Sequence, residues 1–498
     1  MDYEVIIVGG GPVGMMLASE LALANIQVCV LERLSQTTPY SRALSIHPRT
    51  LELLDLRGVK QEFLKRGTPL TTGHFAGLDT RLDFSVIDSS SNYSLFLPQS
   101  ETEAILENNA VRLGAHILRN TEVLSVVQDD EGVEVTAAGT KGMVRLKAAY
   151  LVGADGAGSI VRKQTGIPFI GHDETLTAMQ GDVILKHPPA LPVVSRYSEE
   201  GMIMIVPLPA AMHRVVLIDP HRSHIPKSEP VTLEELRSGM LRILGDDLGA
   251  GEPSWLTRFG NATRQAQQYR ERRIFLAGDA AHVHFPAGGQ GMNVGIQEAF
   301  NLGWKLAADL KGWAPPWLLD SYHNERFPVN TSLLHNTQVQ TLLFGTSFTS
   351  SMIQLRKMMS DMLNVPAANY QLASRIAAVD VHYDPTLPGS SHPLTGRRLA
   401  EFQLRSEQGD VISSFELFRD GSFVLLHLAS DEKMNICQWP PQIKAFSYTL
   451  ADRSTVDWED VHTVLIRPDG YIAWAVSRSE SDHIEKLRQG LVHWCGRS

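Results

Sequence analysis

The chain has 498 residues, a formal net charge of -10, 43% hydrophobic and 20% charged residues. This balance excludes a disordered chain, and the length exceeds what one hydrophobic core supports, so two or three domains are expected. The acidic excess argues against nucleic acid or an anionic membrane surface as partner and leaves small molecules.

The apolar run that begins at Val5 has Asp2 and Glu4 where a secretion signal carries basic residues, and Gly9 to Gly11 interrupt it. Residues 3 to 8 read as a buried strand, Pro12 to Ala24 as a helix and Gln27 to Leu31 as a second strand, together a βαβ unit. Residues 68 to 100 loosen into short β-like runs. Ser100 to Leu113 resumes helical periodicity, with Glu101 and Glu103 in its first turn. From Leu176 to Pro220 alternating stretches such as Met202 to Val206 and His213 to Ile218 predict an antiparallel sheet. Ile274 to Leu276 is a further buried strand, followed by a glycine-rich loop at 286 to 291, a helix from about Asn293 to Lys311 and a helical passage to about residue 375. Pro385, Pro388, Gly389 and Pro393 then punctuate the chain ahead of a third region of mixed strands and one terminal helix. No stretch reaches the roughly eighteen apolar residues of a bilayer-spanning helix.

Gly9, Gly11 and Gly14, with Pro12 and Val13 between them, form GxGxxG directly after a strand and before a helix. In that setting backbone amides approach a pyrophosphate at the positive helix end. Glu32 closes the second strand, where a carboxylate accepts hydrogen bonds from ribose hydroxyls. This fingerprint leaves NAD, NADP and FAD open, because all three carry the ADP portion that it reads. Two further glycine and acid segments follow strands, Tyr150 to Gly156 with Asp155 and Gly156, and Arg273 to His282 with Gly278 and Asp279. An aspartate that accepts from a polyol, next to Gly288, Gly289 and Gly291 packed against a flat ring, selects flavin.

His282 and His284 stand two apart in a loop and supply too few ligands for a metal, so no metal is expected and His284 is read as packing or substrate wall. Phe75, Phe285 and Pro286 are candidates for an apolar pocket wall. Arg196 and Arg214, on the predicted sheet, read equally as phenolate partners or as solvated strand residues. The three cysteines, Cys29, Cys437 and Cys495, form no CxxC or zinc spacing and read as reduced thiols of a cytoplasmic protein. There is no GxSxG hydrolase signature.

The segments GGGPVG at 9 to 14, DG at 155 and 156 and GDAAHVHFPAGGQGMN at 278 to 293 together resemble the single-component (class A) FAD-dependent aromatic hydroxylases. RFGNATR at 258 to 264 and the stretch from Phe300 to Arg326 are most similar to the rifampicin monooxygenase and aromatic polyketide branch. The resemblance implies an α/β fold: a Rossmann-like (GR2-type) FAD-binding domain over residues 1–70, 100–175 and 270–375, an antiparallel-sheet substrate domain over 71–99 and 176–269, and a C-terminal thioredoxin-like domain over 380–498. It implies that Glu32 holds the ribose, that Arg33 and Arg42 neighbour the adenosine and pyrophosphate side, that Leu124 is among the cofactor-binding residues, and that Gln99 contacts the flavin. Asp279 then binds ribityl or phosphate, and Pro286, Gly289 and the backbone of Gly291, Met292 and Asn293 border the ring. The helix beginning near Asn293 would present its positive end to negative charge on the reduced ring. Where the family often has two prolines and a threonine, this chain has Phe285, Pro286 and Ala287.

The implied reaction takes hydride from NADPH, with NADH as an alternative, and O2 through a flavin C4a-hydroperoxide to hydroxylate a bulky phenolic or quinonoid substrate. Such a substrate is a polyketide or an antibiotic such as a rifamycin. The enzyme is a monomer or homodimer, and NADPH binds without a second Rossmann domain. The alternative is a flavin-containing drug-binding or redox-sensing protein without turnover.

Overall fold

The computed structural model describes residues 1–191, 193–387, 392–428, 440–451, 458–480 and 483–496, so Pro388, Gly389 and Cys437 lie outside the described residues. The N-terminal unit is the expected one: β1 (Tyr3–Val8), α1 (Pro12–Leu23) and β2 (Val28–Leu31). Helix α2 (Pro48–Leu56), α3 (Gln99–Leu113) and β3 (His116–Leu118) follow. Next come β4 (Glu122–Gln128), β5 (Val133–Gly139) and β6 (Gly142–Gly153). Val5, Ile6, Ile7, Val28 and Val30 are buried although successive side chains point to opposite sheet faces, so both faces are covered and these strands read as continuous apolar runs. Asn25 takes the left-handed conformation just beyond α1, at φ 58°.

A second unit is a five-stranded antiparallel sheet of β7 (Thr177–Ile184), β8 (Val194–Ser198), β9 (Gly201–Pro207), β10 (Met212–Ile218) and β11 (Gly251–Gly260), in the order β8-β9-β10-β7-β11. Its connection holds α4 (Leu233–Leu244), whose start is fixed by the Thr232 side chain accepting from the Glu235 amide and whose end is a left-handed Gly245. Period-two alternation splits the sheet into two faces. Met179, Val183, Ile203, Val215 and Leu217 pack on Leu236, Met240 and Ile243 of α4. Ala178, Met202 and Ile218 face the other way and share a core with Phe75, Phe285 and Phe344.

The chain then returns to the first sheet with β12 (Ile274–Leu276) and builds α5 (Gly291–Leu310), α6 (Ser321–Gly345), α7 (Ser350–Met362) and α8 (Pro366–Ala377). The parallel core runs β12-β6-β1-β2-β3, with β5 and β4 added antiparallel beside β6. Helix α1 packs between this sheet and helices α3 and α5, so the C-terminal ends of β1, β2, β6 and β12 converge at one edge.

The last unit contains β13 (Phe423–His427), β14 (Ile443–Ser447), β15 (Val461–Ile466), β16 (Ile472–Ser477) and α9 (His483–Cys495). Its order is β14-β13-β15-β16, with only β13 and β14 parallel among the three pairings. It is fastened to α5 and α6 by aromatic packing of Trp304, Phe423 and Trp494 and by a buried ionic network. Glu325 accepts from Lys305 Nζ at 2.9 Å and from Arg467 Nη1 and Nη2 at 2.7 and 2.8 Å. Burial alone would raise the Glu325 carboxyl, but Arg467 and Lys305 hold it down at about 2. Cys29 and Cys495 are buried free thiols that burial pushes up to about 11 and about 12. Among the described residues no helix is long and apolar enough to cross a membrane, and no cluster of three or more His, Cys, Asp and Glu side chains is placed to hold a metal.

Candidate active site

The nucleotide cradle is built from the ends of three parallel strands. Gly9 follows β1 at φ 105°, and a Cβ there would run into the carbonyl of Ala154, just beyond the neighbouring strand β6. A Cβ on Gly14 would overlap the Gly9 carbonyl oxygen, whereas nothing lies within 4 Å of a Cβ on Gly11. Helix α1 has Gly11 at its N-cap, Pro12 in its first turn and no side-chain cap, so its first-turn amides of Val13 and Gly14 stay available to a ligand. Glu32 lies beside them, accepting from the Gly10 amide at 2.7 Å and the Leu34 amide at 2.8 Å. Asp155 accepts from the Ile160 amide at 2.7 Å through one oxygen, while its buried Oδ1 has no partner among the described residues. Burial raises the Asp155 carboxyl despite the Ser159 and backbone hydrogen bonds that favour the anion. Gly156 is left-handed at φ 78°.

Just beyond β12, Gly278 is left-handed at φ 61° and Asp279 is exposed on a short 3-10 turn, Gly278–Ala280. The turn is fixed from behind by Glu298 of α5, a fully buried residue that the sequence reading did not single out. Glu298 accepts from the Gly278 amide at 2.7 Å, from His282 Nε2 at 2.9 Å and from the Asn330 side-chain amide. Burial opposes ionisation of Glu298, but His282, Arg326 and the Gly278 amide outweigh it and keep the carboxyl below its ordinary range.

Gly288 and Gly289 are left-handed, at φ 71° and 65°. The Asn293 side chain ties this loop to residues 45–47: Oδ1 accepts from the His47 amide at 2.8 Å, and Nδ2 donates to the Ser45 and Gly289 carbonyls at 2.9 Å each. The side chain of Asn293 is thus structural, which leaves its backbone and those of Gly291 and Met292 at the uncapped start of α5 for a ligand. His47 completes the tie, with Nε2 2.8 Å from the Gly288 carbonyl and Nδ1 2.5 Å from Ser94 Oγ. Neither His47 nor Glu298 carries a local motif; their partners are 241 and 20 residues away in the chain.

Burial drives His47 down to about 4, from an ordinary value of 6.5. The folded value lies below the unfolded one, so the stability that neutral His47 contributes is present above pH 6.5 and is lost as pH falls through 4. The loss amounts to about 3 kcal/mol. His47→Gln flattens the fall of thermal midpoint between these limits; an unchanged slope contradicts the assignment.

The remaining predicted residues are distributed as follows. Arg33 and Arg42 are exposed on the segment after β2. Gln99 opens α3, its Oε1 accepting from the Ala43 amide at 3.1 Å and its Nε2 donating to Glu103 at 2.7 Å. Leu124 is exposed on β4, and its carbonyl accepts from Gln164 Nε2 at 2.8 Å. Phe75 and Phe285 are brought into one buried cluster, with the Phe259 and Phe285 rings 5.4 Å apart and Phe285 and Phe344 6.2 Å apart. Pro286 is exposed at the start of the turn Ala287–Gly289. His284 has Nδ1 2.7 Å from the Phe285 carbonyl, and burial lowers its pKa.

Of the two readings left open for Arg196 and Arg214, Arg196 takes the solvated one: it is exposed, pairs across from Ile203 on the α4 face and points its Nη1 to the Leu244 carbonyl, 3.3 Å away, so it turns its back on the aromatic cluster. Both readings are corrected for Arg214. Arg214 is neither a free phenolate partner nor solvated. It is buried in a two-pronged pair with Asp182, at 2.8 and 2.7 Å, and its Nη1 donates to the Arg42 carbonyl at 3.2 Å.

The family profile described as an FAD binding domain matches residues 2–337, and that of the aromatic-ring hydroxylase C-terminal region matches 392–498. The chain belongs to the FAD-dependent aromatic-ring hydroxylases. It is 49% identical over 99% of its length, and 98% of the relative's, to an uncharacterized aromatic compound monooxygenase (YhjG) of Bacillus subtilis. It is 38% identical to the rifampicin monooxygenase of Streptomyces venezuelae, over 95% of both chains. The solved structure of the anhydrotetracycline hydroxylase OxyS from Streptomyces rimosus superposes with a TM-score of 0.91 at 38% identity, covering 100% of this chain and 99% of that one. For a hydroxylase of this family the cradle fits FAD on its own geometry. Glycines leave no room for side chains at Gly9 and Gly14, α1 offers uncapped amides, and Asp155 and Asp279 present an orphaned buried oxygen and an exposed carboxylate at the same sheet edge.

Proposed function

We propose that this chain uses NADPH, with NADH as an alternative, and O2 to hydroxylate a bulky phenolic or quinonoid polyketide or an antibiotic of the rifamycin or tetracycline kind. The observation that carries this reading is the aromatic cluster of Phe75, Phe259, Phe285 and Phe344. It joins the antiparallel sheet to the glycine loop beside the start of α5. Bound FAD supplies the acceptance of hydride and the activation of oxygen.

The chain's own residues hold and shield that chemistry. Glu32 takes the ribose, Arg33 and Arg42 flank the adenosine and pyrophosphate, Leu124 is among the cofactor-binding residues, Asp155 and Asp279 anchor the phosphate and ribityl portions, and Gln99 borders the ring. The start of α5, at Gly291 to Asn293, directs its positive end at negative charge that develops on the ring. The aromatic cluster excludes water from the reacting face and stacks on a flat substrate. No side-chain nucleophile is required.

Residues 1–70, 100–175 and 270–375 form the FAD-binding domain, and 71–99 and 176–269 the substrate domain. The C-terminal region from 380 is thioredoxin-like, a reading supported by the order β14-β13-β15-β16 with β13 and β14 parallel. The paucity of cysteines favours the cytoplasm.

The test is NADPH oxidation by the FAD-loaded protein with anhydrotetracycline, rifampicin and polyhydroxyanthraquinones, coupled to mass analysis. A ligand that speeds oxidation at least tenfold and gains one oxygen is the expected outcome; saturable binding with no stimulation for any of them refutes it.

A further inference from the structure

The aromatic cluster explains shape selection but not polar recognition. On the sheet face away from α4, β7 presents Ala178, Gln180 and Asp182 in succession, and each sits in a different row across the sheet. Register places Ala178 beside Phe259, Gln180 beside Thr257 and Val216, and Asp182 beside Trp255 and Arg214.

The outer rows are both tied to cofactor-binding segments. In the first, Phe259 meets Phe285 of the glycine loop. In the third, Arg214 donates to the Arg42 carbonyl, and Trp255 stacks on Tyr40 at 5.7 Å. The middle row therefore spans the interval between the glycine loop and the segment that carries Arg42.

In that row Gln180 is 8% exposed, and its Nε2 is buried without a hydrogen-bond partner among the described residues. A buried amide donor in a protein interior ordinarily has an acceptor. The cation on this face, Arg214, is already neutralised by Asp182, so no net positive charge is left here for a carboxylate.

We infer that Gln180 is the specificity-determining contact of the substrate cleft, its side-chain amide donating to a carbonyl or phenolic oxygen of an uncharged, flat polycyclic substrate. This rests on the proposed hydroxylase reading and narrows its substrate class. It assigns the polar end of recognition to one neutral donor, with a desolvated ion pair behind it acting as wall. A site built to donate one hydrogen bond discriminates against an analogue lacking the acceptor, because the donor is then left unpaired.

The probes are 9-fluorenone and fluorene, flat tricycles that differ by one carbonyl oxygen, titrated into the oxidised holoenzyme and followed by the flavin absorbance change. The wild-type protein is expected to bind 9-fluorenone about tenfold more tightly than fluorene. Gln180→Met, which keeps length and removes the donor, brings the two affinities within about twofold of each other by weakening 9-fluorenone alone. Gln180→Glu, which replaces the donor with an acceptor of the same shape, inverts the preference. FAD occupancy and thermal midpoint are expected to stay at wild-type level in at least one variant, and that variant is the one read.

Equal wild-type affinities, no binding of either tricycle, an equal loss of both in the variants, or loss of FAD from both variants overturns the inference. Oxygen insertion is not read in this titration. A retained 9-fluorenone preference without NADPH stimulation by any aromatic would overturn the hydroxylase reading and leave the Gln180 contact standing.

Discussion

Gly14→Ala is expected to yield a protein that binds FAD about 100-fold more weakly than the parent, or that purifies colourless. The added methyl group has no empty space to enter, because it meets the Gly9 carbonyl oxygen, a backbone atom that cannot rotate away. Relief requires either the first turn of α1 or the end of β1 to move, and both carry amides that the proposed reading turns to the pyrophosphate. Overpacking of this kind costs about 1–3 kcal/mol in the fold. On that proposal the larger share falls on the ligand, since the displaced amides would be its contacts. Equilibrium titration of apoprotein with FAD measures it, alongside Gly11→Ala, whose Cβ meets nothing within 4 Å in the protein and contends with the ligand alone. Parental affinity in Gly14→Ala would show that the glycine cradle is not the nucleotide site.

Glu325→Ala is expected to lower stability by about 3–5 kcal/mol, because it strands Lys305 and Arg467 inside the contact between α5, α6 and the C-terminal sheet. Burial holds Lys305 down to about 8 even with the Glu325 partner present. Removing that partner lowers it further and leaves Arg467 to Asp469 alone. With Glu325 intact, the pair contributes stability that is fully present above the ordinary carboxyl value of 4.5 and is lost as pH falls through 2. This window lies below the one assigned to His47, so acid denaturation followed in Glu325→Ala and His47→Gln separates the two groups. A fall of less than about 1 kcal/mol in Glu325→Ala would contradict the strandedness of the two cations on which this expectation rests.

These residues also mark where the sequence is legible and where it is not. The βαβ unit was readable because its signals are local: a buried strand, glycines at fixed spacing, Pro12 in the first helical turn and a carboxylate one strand later. The strands around Met202 to Val206 and His213 to Ile218 were readable by alternation. What alternation does not give is which face looks at what. Arg196 turns to α4 because its neighbour across the ladder is Ile203, a pairing that no local pattern encodes. Arg214 finds Asp182 on an adjacent strand 32 residues earlier. Lys305, Glu325 and Arg326 lie inside the stretch from Phe300 to Arg326 that carries the family likeness, yet they are buried: Glu325 holds Arg467 between β15 and β16, Lys305 supports Glu325, and Arg326 donates to the Tyr383 hydroxyl. Likeness in that stretch reflects domain attachment as much as cofactor chemistry. Glu298 is similar: a carboxylate in an apolar helix gives no sign in sequence that it holds the turn bearing Asp279.

The proposed reaction transfers one oxygen atom from O2 to an aromatic ring. The direct measurement is turnover of a stimulating aromatic under isotopically heavy oxygen gas in ordinary water, with the product weighed by mass spectrometry. One heavy oxygen per hydroxylated product is the predicted result. Product that carries only light oxygen from water, or NADPH consumed with all of the heavy oxygen recovered as hydrogen peroxide, would contradict it.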